Sequence, residues 1–400
     1  MAERGAAVSR RDPGVPAPFD APIHVTRPLL PSLRSLLLRL EDVWSSQQLT
    51  NLGAQHERLE AALRVHLGVR QLSLFSNGTA ALITAIRALG LEGEVLTTPF
   101  TFPATPHALS WSGITPVFCD IDPVTLNLDP AAVERAVTGR TSGVLAVHVY
   151  GTACDVEGLR RLADRHGLKI VYDAAHAFAT RVRGAGIGTF GDVSMFSFHA
   201  TKLFHTAEGG ALACQDLSLK AKIDDLRNFG IHGPEVVAAI GLNGKMSELH
   251  AALGLAVLDG VAEELARRRR LLACYRERLA PIEGVACLQG PGVDDGGQYC
   301  VIRVDEAAFG CSRDALHLDL RAFNVFARKY FYPLCAEYDC YRHLPSAAAA
   351  NLPVATRAAR EVLCLPLYGG LTESDVDRIS EMIAAIQARI RGNLAASAAE

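Results

Sequence analysis

The sequence predicts an α/β protein: a large domain on a mainly parallel sheet with helices on both faces, then a smaller α+β domain. Three observations predict it. Short apolar runs alternate with helical stretches through the first two-thirds of the chain. A long Ala-rich segment, residues 246–278, turns Arg/Glu-rich and reads as a linking helix into a second unit. The chain also has 400 residues, 49% of them hydrophobic, enough for a large core plus a smaller domain.

Taken in order, residues 1–21 are rich in Ala, Arg, Gly and Pro and read as a disordered extension. The large domain is expected over 22–260. It opens with a helical segment in which Leu36, Leu37, Leu40 and Val43 share one face. Strands are predicted at 95–98, 117–121, 144–150, 169–172, 193–198 and 210–214. Helices are predicted at 79–89, 130–138, 156–166 and 217–228. The small domain is expected over 261–392, with strands near 299–304, 325–330 and 362–365 and helices near 314–323 and 373–391. Residues 393–400 read as a frayed tail.

Bulk properties exclude several classes of function. Net charge is −3 and the sequence pI about 6.5, so no bulk basicity attracts nucleic acid. The run Arg267 to Arg270 is short and reads as a solvated helix face. The ten cysteines form no Cys-x-x-Cys pair, and Cys119, Cys214, Cys300 and Cys364, in apolar strand-like runs, read as small buried hydrophobes in a reducing compartment. No apolar stretch reaches membrane-spanning length, and no apolar segment follows the N-terminal Arg and Pro as a signal peptide requires. These features predict a cytoplasmic protein. His199 and His205 are six residues apart, which fits neither a helical pair nor a zincin, so no metal site is expected.

Two residues concentrate the chemistry. Asp173 ends the apolar run of Lys-Ile-Val-Tyr-Asp-Ala-Ala-His, and Lys202 follows 29 positions later in Ser-Phe-His-Ala-Thr-Lys-Leu-Phe-His-Thr-Ala-Glu-Gly-Gly. A lysine able to form a Schiff base and a carboxylate able to keep a pyridinium nitrogen protonated are the two groups a pyridoxal phosphate enzyme needs. Each alone also reads as an ordinary surface lysine and a helix N-cap. Around them, Ser76-Asn77-Gly78-Thr79 leaves an apolar run and opens a helix. That start offers free N–H groups and a positive dipole end to an anion, or is a plain capped turn. Ser197, five residues before Lys202, can reach the same anion. Phe102 can supply an aromatic face under a flat ring, or pack in the core. His176 can touch the cofactor, or be a satisfied structural histidine.

These motifs, with Leu49-Thr50-Asn51, Val147 to Gly151 and Gly241 to Leu249, resemble the DegT/DnrJ/EryC1/StrS sugar aminotransferases from about residue 22 to 390. The resemblance implies the aspartate-aminotransferase fold, fold type I, with pyridoxal 5'-phosphate as cofactor. It implies that Lys202 carries the cofactor and moves the proton, and that Asp173 pairs the ring nitrogen. Gly78, Thr79 and Ser197 would hold the phosphate, with Asn243 reaching it from the partner subunit of a homodimer. Phe102 would stack on the ring. His176 stands where many members have Gln. The amino donor implied is L-glutamate, and the acceptor a nucleotide-linked keto-deoxy sugar. The strings at 197–210 and 243–246 most resemble the subgroup acting on dTDP-4-keto-6-deoxyglucose; relatives that aminate a 3-keto sugar carry similar strings. Lys245, Arg227, Arg328 and Tyr330 are candidates for phosphate or sugar contacts, or surface residues. Two rivals share the scaffold. A sugar dehydratase would replace the lysine by histidine. A non-enzymatic sensor usually carries a DNA-binding segment, for which the N-terminal extension is too short.

Overall fold

The computed structural model describes residues 16–288 and 296–397. Its centre is a seven-stranded sheet. The strands lie side by side in the order Gln71–Phe75, Gly210–Cys214, Val193–Ser197, Lys169–Asp173, Thr141–Val147, Glu94–Thr97 and Thr115–Phe118. Gly210–Cys214 runs antiparallel to both neighbours, and every other pairing is parallel. Ile170 to Asp173 are all buried, as are Gly143 to Val147, because helices cover both faces and neither face meets water.

The helix starts follow from local chemistry. Asn77 caps Gly78–Leu89 by accepting from the Ala80 N–H, and Asp155 caps Val156–His166 by accepting from the Gly158 N–H. Gly53 has no side chain with which to cap Ala54–Leu67. The buried Glu248 carboxylate, distant in sequence, takes that role: the Gln55 N–H donates to it at 2.7 Å and the His56 N–H at 3.1 Å. An anion at a helix N-terminus satisfies orphan donors and the dipole together.

Glu248–Leu279, 32 residues long, is the spine. It packs on the helices Leu33–Ser46 and Ala54–Leu67 at one end and on Glu373–Ser397 at the other. Arg268 is fully buried within it and donates to Glu264 at 2.6 Å, while the same carboxylate accepts from the Gly369 N–H at 2.8 Å. The chain beyond the spine builds an antiparallel sheet of Val285–Cys287, Cys300–Val304 and Val362–Leu365.

The structure departs from several expectations; the strands expected at 117–121 and 144–150, for instance, lie at Thr115–Phe118 and Thr141–Val147. Residues 1–15 lie outside the described residues, but 16–21, expected to be disordered, and 22–24, expected in the large domain, pack with the C-terminal part of the chain. Phe19 is buried in the C-terminal core, and Ile23–His24 pairs in parallel with Val325–Phe326. The strand expected to run to residue 330 ends at Phe326, with Arg328 making one further bridge to Cys364. The last helix continues to Ser397, past the expected start of the tail at 393; residues 398–400 lie outside the described residues.

Candidate active site

The strands Lys169–Asp173 and Val193–Ser197 are adjacent and parallel, so their C-terminal ends meet at one edge of the sheet. That edge is where open α/β sheets form ligand crevices. A cavity of about 260 Å³ opens there, lined by Gly78, Thr79, Phe102, Asp173, His176, Ser197, Lys202 and Tyr330 among others. Eight of the sequence-predicted residues therefore converge on one space.

Asp173 is buried. The Ala175 N–H donates to its Oδ1 at 3.0 Å and the Thr105 hydroxyl to its Oδ2 at 2.8 Å. Burial raises its pKa, opposed by these two hydrogen bonds and by the charge of Lys202. Each carboxylate oxygen keeps acceptor capacity beyond its one donor.

Lys202 sits in the turn that leaves Val193–Ser197 and returns as Gly210–Cys214. Backbone bonds from Lys202 N–H to His199 O, 2.9 Å, and from Thr206 N–H to Phe198 O, 2.9 Å, fix that turn. Gln298 clamps it from outside, accepting from the Leu203 N–H at 2.8 Å and donating to Thr201 O at 3.1 Å. Gly210 is required where the returning strand meets the Gly78–Leu89 helix. A Cβ there would lie 2.8 Å from the Asn77 carbonyl carbon and the Gly78 nitrogen. Lys202 stays partly open to the cavity, yet burial of its ammonium lowers its pKa to about 8, with Asp173 opposing the shift.

This shift carries a stability prediction for the cofactor-free chain. The folded-state pKa lies below the ordinary lysine value of 10.5, so the unfolded state binds more protons between about 8 and 10.5. Burying Lys202 therefore costs stability below about pH 8, and the cost fades as pH rises through that window. Between pH 7.5 and 10, the wild type should gain about 2 kcal/mol over Lys202→Ala in denaturant unfolding. Parallel pH profiles for the two proteins would contradict the shift.

The anion end of the cavity is the start of Gly78–Leu89. Asn77 takes the Ala80 N–H, so Gly78 and Thr79, which line the cavity, carry the orphan N–H donors of this helix. Ser197 ends its strand beside them. Phe102 is 58% exposed, so it is not core packing. His176 is buried, stacked on Phe331 with centroids 5.6 Å apart and edge-on to Tyr299 at 5.2 Å. Burial and the nearby Lys202 hold its pKa well below the ordinary histidine value, so the ring is neutral. Its Nδ1 is buried with no hydrogen-bond partner.

Other predicted residues lie elsewhere. Asn243 and Lys245 are outside this cavity; Asn243 is exposed, and Lys245 donates to Asn228 at 2.7 Å and to Asn243 at 3.0 Å. Arg328 is exposed and outside it too. Arg227 is corrected: it is buried, donating to the Leu74 carbonyl at 2.7 Å and ion-paired to Asp224 at 2.8 Å, a structural tie between helix and sheet with no surface for a sugar nucleotide. His199 and His205 part company. His199 bonds the Thr201 hydroxyl at 2.8 Å and His205 the Leu29 carbonyl at 2.9 Å. Among the described residues no cluster of three or more metal-ligating side chains forms. Sequence reasoning missed Thr105, which bonds Asp173, and Tyr299, which lines the cavity. Thr105 had a signal: it lies one helical turn after Thr101, just past the Phe102 motif.

A family model of the DegT/DnrJ/EryC1/StrS aminotransferases matches residues 34–384, the greater part of the chain. The chain belongs to this family. It is thus a sugar aminotransferase, on the α/β aminotransferase fold that the sequence predicted. This aminotransferase is 41% identical to the dTDP-4-amino-4,6-dideoxy-D-glucose transaminase of Escherichia coli, covering 91% of the chain and 98% of that relative. It is 42% identical to the Shigella dysenteriae enzyme of the same name, covering 92% of the chain and all of that relative. The crystal structure of DesI with its TDP-sugar product superposes with a TM-score of 0.89 at 42% identity, covering 96% of this chain and 97% of that one. No helix among the described residues of the aminotransferase is long and apolar enough to cross a membrane.

Proposed function

We propose that this aminotransferase uses pyridoxal 5'-phosphate to convert dTDP-4-keto-6-deoxy-D-glucose and L-glutamate to dTDP-4-amino-4,6-dideoxy-D-glucose and 2-oxoglutarate. The observation that carries the reading is one cavity holding a partly buried lysine with a lowered pKa, a buried carboxylate and an uncommitted helix start. The substrate follows from relatives named for that product that match over nearly their whole lengths.

The residues suit the cofactor. Gly78 and Thr79 N–H groups and the Ser197 hydroxyl are a donor set for a phosphate dianion. The free lone pairs of Asp173 suit a protonated ring nitrogen, and the unpartnered Nδ1 of His176 suits a ring substituent. Exposed in the cavity, Phe102 suits a ring face. When bound, the cofactor supplies an electron sink for the carbon that carries the amine. The protein holds the charges and moves the proton. Asp173 keeps the ring nitrogen protonated by its own negative charge. Lys202, with a pKa of about 8, is neutral often enough near pH 7.5 for Nζ to take the proton from the donor's α-carbon. It returns the proton to the sugar carbon in the second half-reaction.

Asn243 contributes in a homodimer, from one subunit into the partner's cavity. Its support is its exposure outside its own cavity, bridged to Asn228 next to the exposed Phe229, in a stretch of chain that also exposes Val237 and Ile240. Lys245, Arg328 and Tyr330 remain the candidates for anchoring the nucleotide sugar.

The test is the product's regiochemistry. Incubation with dTDP-4-keto-6-deoxy-D-glucose and L-glutamate should place nitrogen at C4, assigned by proton–carbon NMR. Moving the keto group to C3 shifts the reacting atom by about 1.5 Å, and a misplacement of ~1 Å already costs on the order of a hundredfold. One regioisomer should dominate. Nitrogen at C3 from the 3-keto isomer, with no turnover of the 4-keto sugar, would overturn the substrate and leave the family intact.

A further inference from the structure

The Asp173 carboxylate is gripped from the Ala104–Trp111 helix by a chain of hydroxyls. Thr105 donates to Asp173 Oδ2 at 2.8 Å, and Thr101 and Thr105 oxygens are 3.0 Å apart. All three residues are buried. A hydroxyl has one proton. If Thr105 gives its proton to the carboxylate, it can only accept from Thr101, so the chain has one direction: Thr101 to Thr105 to Asp173. Thr101 is held in turn by Cys335, whose Sγ–H donates to the Thr101 carbonyl at 3.2 Å and whose N–H donates to the Pro99 carbonyl at 2.9 Å. Thr101 lines the cavity, but Thr105 does not, so a ligand there does not touch Thr105.

We propose that Thr105 is a positioning residue whose hydroxyl, oriented by Thr101, keeps the Asp173 carboxylate ionised and aimed into the cavity; this rests on the role of Asp173 given above. The need is physical. A carboxylate this deeply buried is pushed toward its neutral form, and a neutral acid cannot hold a pyridinium proton. The Ala175 N–H supports the other oxygen but comes from the same turn as Asp173, so it moves with it. Thr105 comes from a separate helix and fixes the carboxylate plane against the sheet. Among the described residues, Lys202 and Cys154 are the titratable side chains that interact electrostatically with Asp173, and His176 lines the same cavity.

Thr105→Val removes the hydroxyl at nearly constant shape, and Thr105→Ser restores it. In cofactor-free protein labelled with carbon-13 at aspartate carboxyls, with Asp173→Asn to assign the signal, Thr105→Val should raise the Asp173 titration midpoint by about one pH unit or more, the effect of losing a hydrogen bond to a charged group. Thr105→Ser should return it near the wild-type value. In the holoenzyme, Thr105→Val should lower kcat roughly tenfold, the same loss of one charge-state bias, with KM for the sugar nearly unchanged and the pH dependence of the visible band displaced. An unmoved titration and band, even with a lower melting temperature, would reduce Thr105 to packing and overturn the proposal. If Asp173→Asn itself leaves kcat and the visible band unchanged, the role of Asp173 fails and the proposal falls with it. The carboxyl titration separates these two failures.

Discussion

Lys202→Ala is expected to lower kcat by at least about a thousandfold, within the range that a positioned acid–base group contributes. Lys202 is the only lysine among the described residues that line the cavity. No neighbour can take over its proton transfer: His176 is stacked, and burial holds its pKa well below the ordinary histidine value, so the ring is a poor base for taking the proton. The variant should fold at least as well as the wild type below pH 8, because a disfavoured ammonium has been removed. Loss of activity with retained stability therefore separates chemistry from folding. Lys202→Arg should not rescue, since a guanidinium stays charged at any working pH. Mixing Lys202→Ala with Asn243→Ala protein should restore some activity, because one site in each mixed dimer would be intact. A fully active Lys202→Ala protein would remove the central residue from the scheme. No recovery after verified subunit exchange would remove the shared site.

Asp173→Asn is the second large effect, a fall in kcat of about a hundredfold to a thousandfold, the magnitude for losing one preorganised electrostatic partner. The change is nearly isosteric. The amide oxygen can still accept from Thr105 or from the Ala175 N–H, so the local fold should persist. What disappears is the negative charge, and with it the bias toward a protonated ring nitrogen. The visible band and its pH dependence should shift together with kcat. Activity within threefold of wild type would show that the charge at this position is not used.

Six of the seven strands of the central sheet were legible, two of them displaced by two or three residues, because they are buried runs bounded by turns; the edge strand Gln71–Phe75 was not expected. Gly210–Cys214 and Val156–His166 fall on the expected residues, and Lys169–Asp173 extends its expectation by one. The helix Ala104–Trp111 was not legible. Pro99, Pro103 and Pro106 make its sequence read as a loop, yet Pro106 sits in the first turn, where a missing N–H costs nothing. The convergence of residues 78, 173, 197 and 202 was legible because each ends a strand or follows a strand end, and strand ends of a parallel sheet meet at one edge. Arg227 was not. Its partners, Leu74 and the Phe75 ring, are about 150 residues away, and only the folded chain brings them to its guanidinium. Phe19 is the same case, since the C-terminal core that covers it is built from residues 271–386.

The central claim is that Lys202 is the residue to which the cofactor attaches. The most direct measurement is borohydride reduction of the protein saturated with pyridoxal 5'-phosphate, followed by proteolysis and mass mapping. The account predicts loss of the visible band and a single phosphopyridoxyl group on the peptide containing Lys202, absent from Lys202→Ala. A stoichiometric adduct on any other lysine, with Lys202 unmodified, would contradict it.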